Sequence, residues 1–434
     1  MHKVGDSAGP HGIFPKLDHP NLYISISTSH PRANERNIIM SSSKFLNLPG
    51  EIREAIYHEV LCSVNNKYEI GNQYNKYKFD LNLFLTCHQV YREAKTVFRR
   101  DNIFVSVETP WAEAQNHVAI DGYVPLILTG EKASRFQHMH MQVLINTPKY
   151  AAMQGPMRKF VILVDDLHLF TEMWYYENLT HPQMNPHLRL VLKLRNPYQQ
   201  SFEQTPIPKA IQRKLLEPFG AVKGLHEVVV QGEHYESLEK SMREAMAIPP
   251  PPVEKCLEEA TRLKDEGNDA LRKQKYHDAL RLYRESFLHL MIVVDGRRRS
   301  IWGEGYFQVD CKGGPFDKQP AQLIRLILRI RLVSNTVMAY LKLEDYEEAK
   351  FWGMRTINLF RTNLGGVNEA IIDFPAAPEL GKIYYRTGIA CRSMGDKEAA
   401  YELLKTAVKY LPNDPIVQKD FNALAPRLGR TCQT

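Results

Sequence analysis

The chain has 434 residues, more than one hydrophobic core usually supports, so we expect more than one folded unit. With 44% hydrophobic and 24% charged residues it has the composition of a soluble globular protein, and it contains no apolar run of the ~20 residues that a membrane-spanning helix needs. The net charge of +7 is modest for this length and does not by itself indicate nucleic-acid binding.

Residues 1–43 contain Gly, Pro, Ser, His and Asn without the apolar stretch of a targeting segment, and we expect a disordered tail. The six cysteines form no CxxC pair, which is evidence against a zinc site or a disulfide framework and favours the reducing cytoplasm, or the nucleus. The sequence also has no phosphate-binding Gly-rich loop and no Gly-x-Ser-x-Gly elbow. We therefore expect no enzymatic activity, no catalytic residues, no cofactor and no metal.

Residues 44–110 read as a helical module. In KFLNLPGEIREAIYHEVL, Leu48, Ile52 and Ile56 recur every four residues, and Pro49 suits the first turn of a helix. A second helix is predicted over LFLTCHQVYREAKTVFRR, with Leu85 on its apolar face, and the alternating run NIFVSVE predicts a strand after it.

Residues 111–248 change to short β-rich runs separated by helical candidates such as AIQRKLLEPFGAV. This alternation predicts an α/β module whose strand order stays open. The runs are MHMQVLI (139–145), FVILV (160–164), LRLVLKL (188–194) and HEVVVQG (226–232). Asp165 and Asp166 follow the second run and read as a solvated turn, not as a metal site.

Four prolines at 249–252 predict an extended linker, and residues 253–412 then read as helices with an internal repeat. In a frame of 34 residues, Gly267 aligns with Gly388 and Ala279 with Ala400. A third copy starts near residue 330, but there Val337 replaces the glycine and predicts a more splayed helix pair.

This pattern of small and large positions resembles the tetratricopeptide family, which implies three repeats of paired helices over residues 253–412. Residues 295–322 are longer than a usual repeat connection and form an insertion. Residues 413–434 resemble the capping helix and tail that follow the last repeat.

Polar side chains recur on the first helix of each repeat. Lys264 and Asn268 lie four residues apart in the first repeat, Asn335 lies in the second, and Lys382 and Arg386 are again four apart in the third. The set resembles the two-carboxylate clamp of tetratricopeptide co-chaperones, which hold the C-terminal Glu-Glu-Val-Asp tail of Hsp70 and Hsp90. Lys, Arg and Asn are suited to this task because they donate hydrogen bonds to carboxylates. The resemblance implies an acidic chaperone tail as partner.

The segments LNLPGEIREAIYHEVL, LFLTCHQVYREAKTVFRRDNIF and KLLEPFGAVKGLHEVVVQG resemble, in that order, fungal F-box-like proteins over about residues 44 to 240. That resemblance implies a contact with the adaptor Skp1, which connects such proteins to a cullin ubiquitin ligase. The implied contact residues are Leu48, Pro49, Ile52, Ile56 and Tyr57. The alternative is that the apolar residues among them belong to the core.

The predicted fold class is therefore multidomain: F-box-like helices and an α/β sheet module, followed by an all-α tetratricopeptide superhelix. The predicted function is a non-enzymatic adaptor or co-chaperone that links chaperone-bound clients to a ubiquitin ligase. The first alternative is a general protein–protein interaction scaffold that binds neither a chaperone nor Skp1. The second is a protein that contacts RNA or DNA through Arg297–Arg299 with Trp302, Tyr306 and Phe307, although a solvated loop is favoured there and no nucleic-acid partner is expected.

Overall fold

The computed structural model describes residues 44–62, 66–70, 74–153, 155–199, 206–363 and 372–428. The predicted disordered segment, residues 1–43, lies outside them. The chain divides into two compact units, Met1–Arg53 and Glu54–Thr434, so the sheet module and the helical repeats belong to one unit.

Over the described ranges, helices precede, cover and follow a single larger sheet. The helices are α1 (Gly50–Leu61), α2 (His88–Asp101), α3 (Ala114–Ile120), α4 (Gly130–Arg135), α5 (Leu167–Thr180), α6 (Lys209–Leu216), α7 (Glu236–Ala247), α8 (Val253–Arg272), α9 (Tyr276–His289), α10 (Ala321–Lys342), α11 (Tyr346–Asn363), α12 (Ala377–Ser393), α13 (Lys397–Tyr410) and α14 (Pro415–Leu428). The strands are β1 (Lys67–Ile70), β2 (Tyr74–Tyr77), β3 (Phe104–Thr109), β4 (Leu128–Thr129), β5 (Met141–Asn146), β6 (Arg158–Leu163), β7 (Arg189–Leu194), β8 (Glu227–Gln231), β9 (Ile292–Asp295) and β10 (Arg298–Ile301).

The larger sheet has six strands in the order β4-β6-β3-β5-β7-β8. It is mixed: β3 pairs with β5 and β7 with β8 in parallel, whereas the other neighbours are antiparallel. Each of the β-rich runs predicted from the sequence forms a strand of this sheet. Its central strands are buried because α5 and α6 contribute apolar side chains to the same core, including Leu167, Phe170 and Leu215.

The helices after the prolines form successive antiparallel pairs, α8 with α9, α10 with α11, and α12 with α13, and α14 packs on α13. Gly267 permits the close approach of α8 and α9, because a Cβ atom there would lie 2.4 Å from Cε1 of Tyr283. The α10–α11 pair packs less extensively than the other two, which agrees with the buried Val337 at its glycine position. Contacts between α8, α10 and α12 place the first helices of the pairs in one layer.

The insertion at residues 295–322 contains the strand β10, which pairs with β9 in a hairpin, so this region is not wholly helical. Its backbone then runs against α5: the Gly303 amide donates to Thr180 Oγ1 at 2.7 Å, and the Tyr306 amide donates to the Leu179 carbonyl at 2.8 Å. Ser300 donates to the carbonyl of Asp121, in the sheet module, at 3.1 Å. The insertion therefore attaches the helical repeats to the sheet module.

Two local predictions are wrong. The second helix begins at His88, and Leu85 lies in a preceding 3₁₀ turn with 83% of its surface exposed, so it is not on a buried face. Asp166 is not a solvated turn residue: it is buried, and it accepts hydrogen bonds from Lys67 at 2.9 Å and Tyr77 at 2.6 Å. The carboxylate stays buried because both of its oxygens have partners.

None of the helices in the described part of the chain is both long and apolar enough to traverse a lipid bilayer.

Candidate peptide-binding site

Two asparagines from neighbouring repeats meet in the layer formed by the first helices. The Asn335 amide on α10 donates to Oδ1 of Asn268 on α8 at 2.7 Å. The same oxygen accepts a hydrogen bond at 2.9 Å from the hydroxyl of Tyr283, which is buried between α8 and α9. Asn268 is thereby held in one orientation by donors from two other helices.

Arg386 brings the third repeat to the same neighbourhood. Its guanidinium donates to Ser334 Oγ at 2.9 Å and also to the Ser334 carbonyl, and Ser334 immediately precedes Asn335 on α10. Burial lowers the pKa of Arg386 to about 10, because a desolvated cation is less stable than one in water. A ligand carboxylate would offset that desolvation.

The two lysines differ in their surroundings. Lys264 lies one turn before Asn268, its side chain is only 11% exposed, and its ammonium lies 3.1 Å from Oδ1 of Asp265. Lys382 lies one turn before Arg386 on α12 and is exposed. One lysine is thus engaged by a carboxylate of this chain, whereas the other faces solvent.

A cavity of about 440 Å³ opens beside the paired asparagines. Its lining residues are Asp265, Asn268, Asp269, Leu271, Arg272 and Asn335. Hydrogen-bond donors and a guanidinium suit an extended peptide, but the two aspartates make this end of the cavity less positive than the clamp residues alone imply. Arg272 already pairs with Asp269.

The structure thus joins Asn268 to Asn335 by a hydrogen bond and Arg386 to the adjacent Ser334, and it leaves Lys264 paired with Asp265. Sequence reasoning missed Tyr283 and Ser334, which orient the clamp residues, and Asp265, which competes for Lys264. The sequence could have indicated the role of Asp265, because an acidic residue directly after Lys264 can pair with it. Tyr283 and Ser334 gave no such indication, since their role depends on contacts between helices.

The residues implied in a Skp1 contact do not share one environment. Ile52 and Ile56, one turn apart on α1, are 49% and 37% exposed, Pro49 is exposed, and Leu48 is half-buried. Tyr57 is fully buried and donates to Glu93 at 2.9 Å, so its inclusion among contact residues is wrong. Tyr57 is therefore a core residue.

The basic stretch at Arg297–Arg299 lacks the aromatic platform that stacking on nucleic acid needs. Trp302 and Phe307 are buried, and Arg297 forms an ion pair with Glu348 at 2.6 Å. Arg299 stacks on Trp352, with its guanidinium carbon 3.8 Å from the ring centroid. These contacts anchor the hairpin to α11.

Among the residues that the structure describes, no three His, Cys, Asp or Glu side chains cluster in a way that could hold a metal ion.

The sequence matches no protein-family model and no curated protein. Among solved structures, the chain is similar to the C-terminal, tetratricopeptide-containing domain of an FK506-binding protein from Plasmodium falciparum. The two are 18% identical with a TM-score of 0.28, and the match covers 42% of this chain and 96% of that domain.

Proposed function

We propose that this protein is an adaptor whose helical repeats bind the acidic C-terminal tail of Hsp70 or Hsp90. The observation that carries the proposal is that side chains from three helix pairs meet at neighbouring residues of α10: Asn335 bonds to Asn268 of α8, and Arg386 of α12 bonds to Ser334, the residue before Asn335. Lys382 lies one turn before Arg386 and adds an exposed positive charge, whereas Lys264, one turn before Asn268, is paired with Asp265.

The chemistry of the partner follows from these groups. A C-terminal aspartate presents two carboxylates close together, and Arg, Lys and Asn can each donate to them. Charge-assisted hydrogen bonds contribute roughly 1.5 to 3 kcal/mol each before ordering costs, so four or five leave about −8 kcal/mol, a dissociation constant near micromolar. Such a complex is sensitive to salt and exchanges readily.

The test is a titration of the full chain with a peptide ending in Glu-Glu-Val-Asp, as the free acid and as the C-terminal amide. We expect the amide to bind at least about tenfold more weakly, because it lacks one charged carboxylate. Lys382→Ala is the cleanest variant, since Lys382 is exposed and its removal leaves no buried group unpaired. We expect this variant to bind the free-acid peptide about tenfold more weakly than the wild type does, and to change binding of the amide much less.

Lys405→Ala is the matched control, because Lys405 is an exposed lysine on α13, the outer helix of the same pair. Equal binding of acid and amide, or equal effects of the two lysine variants, would refute the clamp and favour a general interaction scaffold.

A second candidate function, recruitment of Skp1, is favoured by the exposed Ile52 and Ile56 on α1. We expect the double variant Ile52→Asp, Ile56→Asp to lose co-purification with Skp1 while its circular dichroism stays unchanged. Retained co-purification would exclude this surface as the contact.

A further inference from the structure

The sheet module contains a cavity of about 570 Å³, a size typical of small-molecule sites, which range from about 300 to 1,000 Å³. It is a different site from the clamp, because its walls come from residues 109–188. Phe160, Phe170 and Trp174 form buried aromatic walls, and the partly exposed Trp111 and Tyr150 also line it. Exposed aromatic rings beside buried ones suggest an apolar ligand that enters between them.

One acidic side chain interrupts this aromatic lining. Glu177 on α5 is only 8% exposed, and its Oε2 lies 3.2 Å from Nε2 of His117, whose Nδ1 lies 2.7 Å from Oδ2 of Asp121. The exposed His181 lies 3.5 Å from the other oxygen of Glu177. Glu177 is therefore held in place within a chain of ionisable groups that reaches the cavity.

His117 is the cation in this chain of groups. Burial alone would lower the pKa of His117, but its hydrogen bonds to Asp121 and Glu177 raise the pKa to about 9, so the imidazole is protonated at neutral pH. Of these groups only Glu177 and His181 line the cavity, so Glu177 is the acidic side chain that a ligand there meets. No Lys or Arg is found among the described residues that line the cavity.

Aromatic faces and a carboxylate attract the same kind of ligand. The faces of Trp, Tyr and Phe are electron-rich and bind cations, and the attraction is stronger where water is excluded. An anionic ligand would be repelled by the Glu177 carboxylate and would find no lysine or arginine in the described lining, whereas a cation can share this carboxylate with His117.

We propose that this cavity binds a small organic cation, an ammonium group on an aromatic or apolar body, with the ammonium at Glu177 and the body between the aromatic walls. The proposal is independent of the chaperone-tail function, since the two sites share no residue.

The test uses the full chain with two probes of nearly equal shape, 2-phenylethylammonium and the neutral 2-phenylethanol, titrated by calorimetry at neutral pH. We expect saturable binding of the ammonium at least about tenfold tighter than the alcohol. Glu177→Gln keeps the shape of the side chain and should abolish the difference between the probes. Trp111→Ala, a change at a partly exposed residue, should weaken both.

Glu172→Gln is the matched control, because Glu172 lies on the same helix but is exposed and outside the cavity lining. It should leave both affinities unchanged. Equal binding of the two probes to the wild-type chain, or no saturable binding of either, would overturn the proposal. A preference for the ammonium that persists in Glu177→Gln would also overturn it. The comparison of the two probes on the wild-type chain tests the proposal even if a variant fails to fold.

Discussion

The side chain next to Lys264 decides how much positive charge the candidate clamp presents. Asp265 lies 3.1 Å from the Lys264 ammonium, so an incoming carboxylate must compete with a carboxylate of the same helix. We expect Asp265→Asn to strengthen binding of a free-acid tail peptide by about three- to tenfold, because it frees the lysine and removes a repulsive charge. Fluorescence anisotropy with a labelled peptide measures this change.

Glu266→Gln is the control for that variant, because Glu266 is also acidic, exposed and adjacent but pairs with Arg262 and not with Lys264. It should change the affinity little. If Asp265→Asn leaves affinity unchanged or weakens it, Asp265 does not compete with the ligand.

His117 makes the stability of the sheet module depend on pH. Its pKa is about 9 in the folded chain against 6.5 when exposed, so the folded state holds the proton more tightly. The resulting stabilisation is complete below about pH 6.5 and is lost as the pH rises through 9. We expect the urea midpoint of the wild type to fall between pH 7 and 9.5, and to fall less in His117→Gln. A wild-type midpoint that does not change with pH would contradict the ion pairs assigned to His117.

At the scale of helices, the contact between α8 and α9 also holds the clamp in shape. A Cβ atom at Gly267 would come within 2.4 Å of the Tyr283 ring, which is buried and whose hydroxyl orients Asn268. We expect Gly267→Ala to destabilise the chain by about 1 to 3 kcal/mol, the usual cost of overpacking, and to weaken tail binding with it. Chemical denaturation and peptide titration measure the two effects.

Gly388→Ala is the matched comparison in the third repeat. There the nearest atom would be Leu404 Cγ at 3.1 Å, a flexible neighbour that can move by a few tenths of an ångström. The better helix propensity of alanine offsets that strain, so we expect nearly unchanged stability. Equal losses of stability in Gly267→Ala and Gly388→Ala would show that the tight contact with Tyr283 does not cause the destabilisation.

Elements with local patterns were predictable from the sequence, and contacts between distant elements were not. The strand runs follow from local patterns, and the 34-residue repeat frame places Asn335 on a first helix. The burial of Tyr57 does not, because it depends on Glu93 on another helix. The partners of Asp166 are about 90 to 100 residues away, so no local pattern reveals them. The order of the strands likewise depends on long-range pairing.

At the scale of the whole molecule, the insertion joins the sheet module to the helical repeats. Trp302 lies at this junction: it stacks on Tyr176 of α5 and meets the His117 ring edge-on, with centroids 6.4 and 5.4 Å apart. The backbone carbonyl of Trp302 accepts a hydrogen bond from Arg325 of α10. Because one buried ring contacts the sheet module while its own backbone is bonded to the repeats, the two regions should unfold together.

In the full wild-type chain, we expect the region from Glu54 onward to unfold in one transition. In the Trp302→Ala variant, we expect two transitions. Removing a buried Trp costs about 3 to 5 kcal/mol, and here the loss falls on the contact that couples the regions. Circular dichroism at the helical band follows mainly the repeats, whereas tryptophan fluorescence, measured with Trp352 of the repeats changed to Phe in both chains, follows mainly the sheet module through Trp111 and Trp174. The two midpoints should coincide in the wild type and diverge in Trp302→Ala. Trp352→Phe, a milder change at a tryptophan on α11, should leave the two midpoints coincident. Coincident midpoints in Trp302→Ala would mean that other contacts couple the regions.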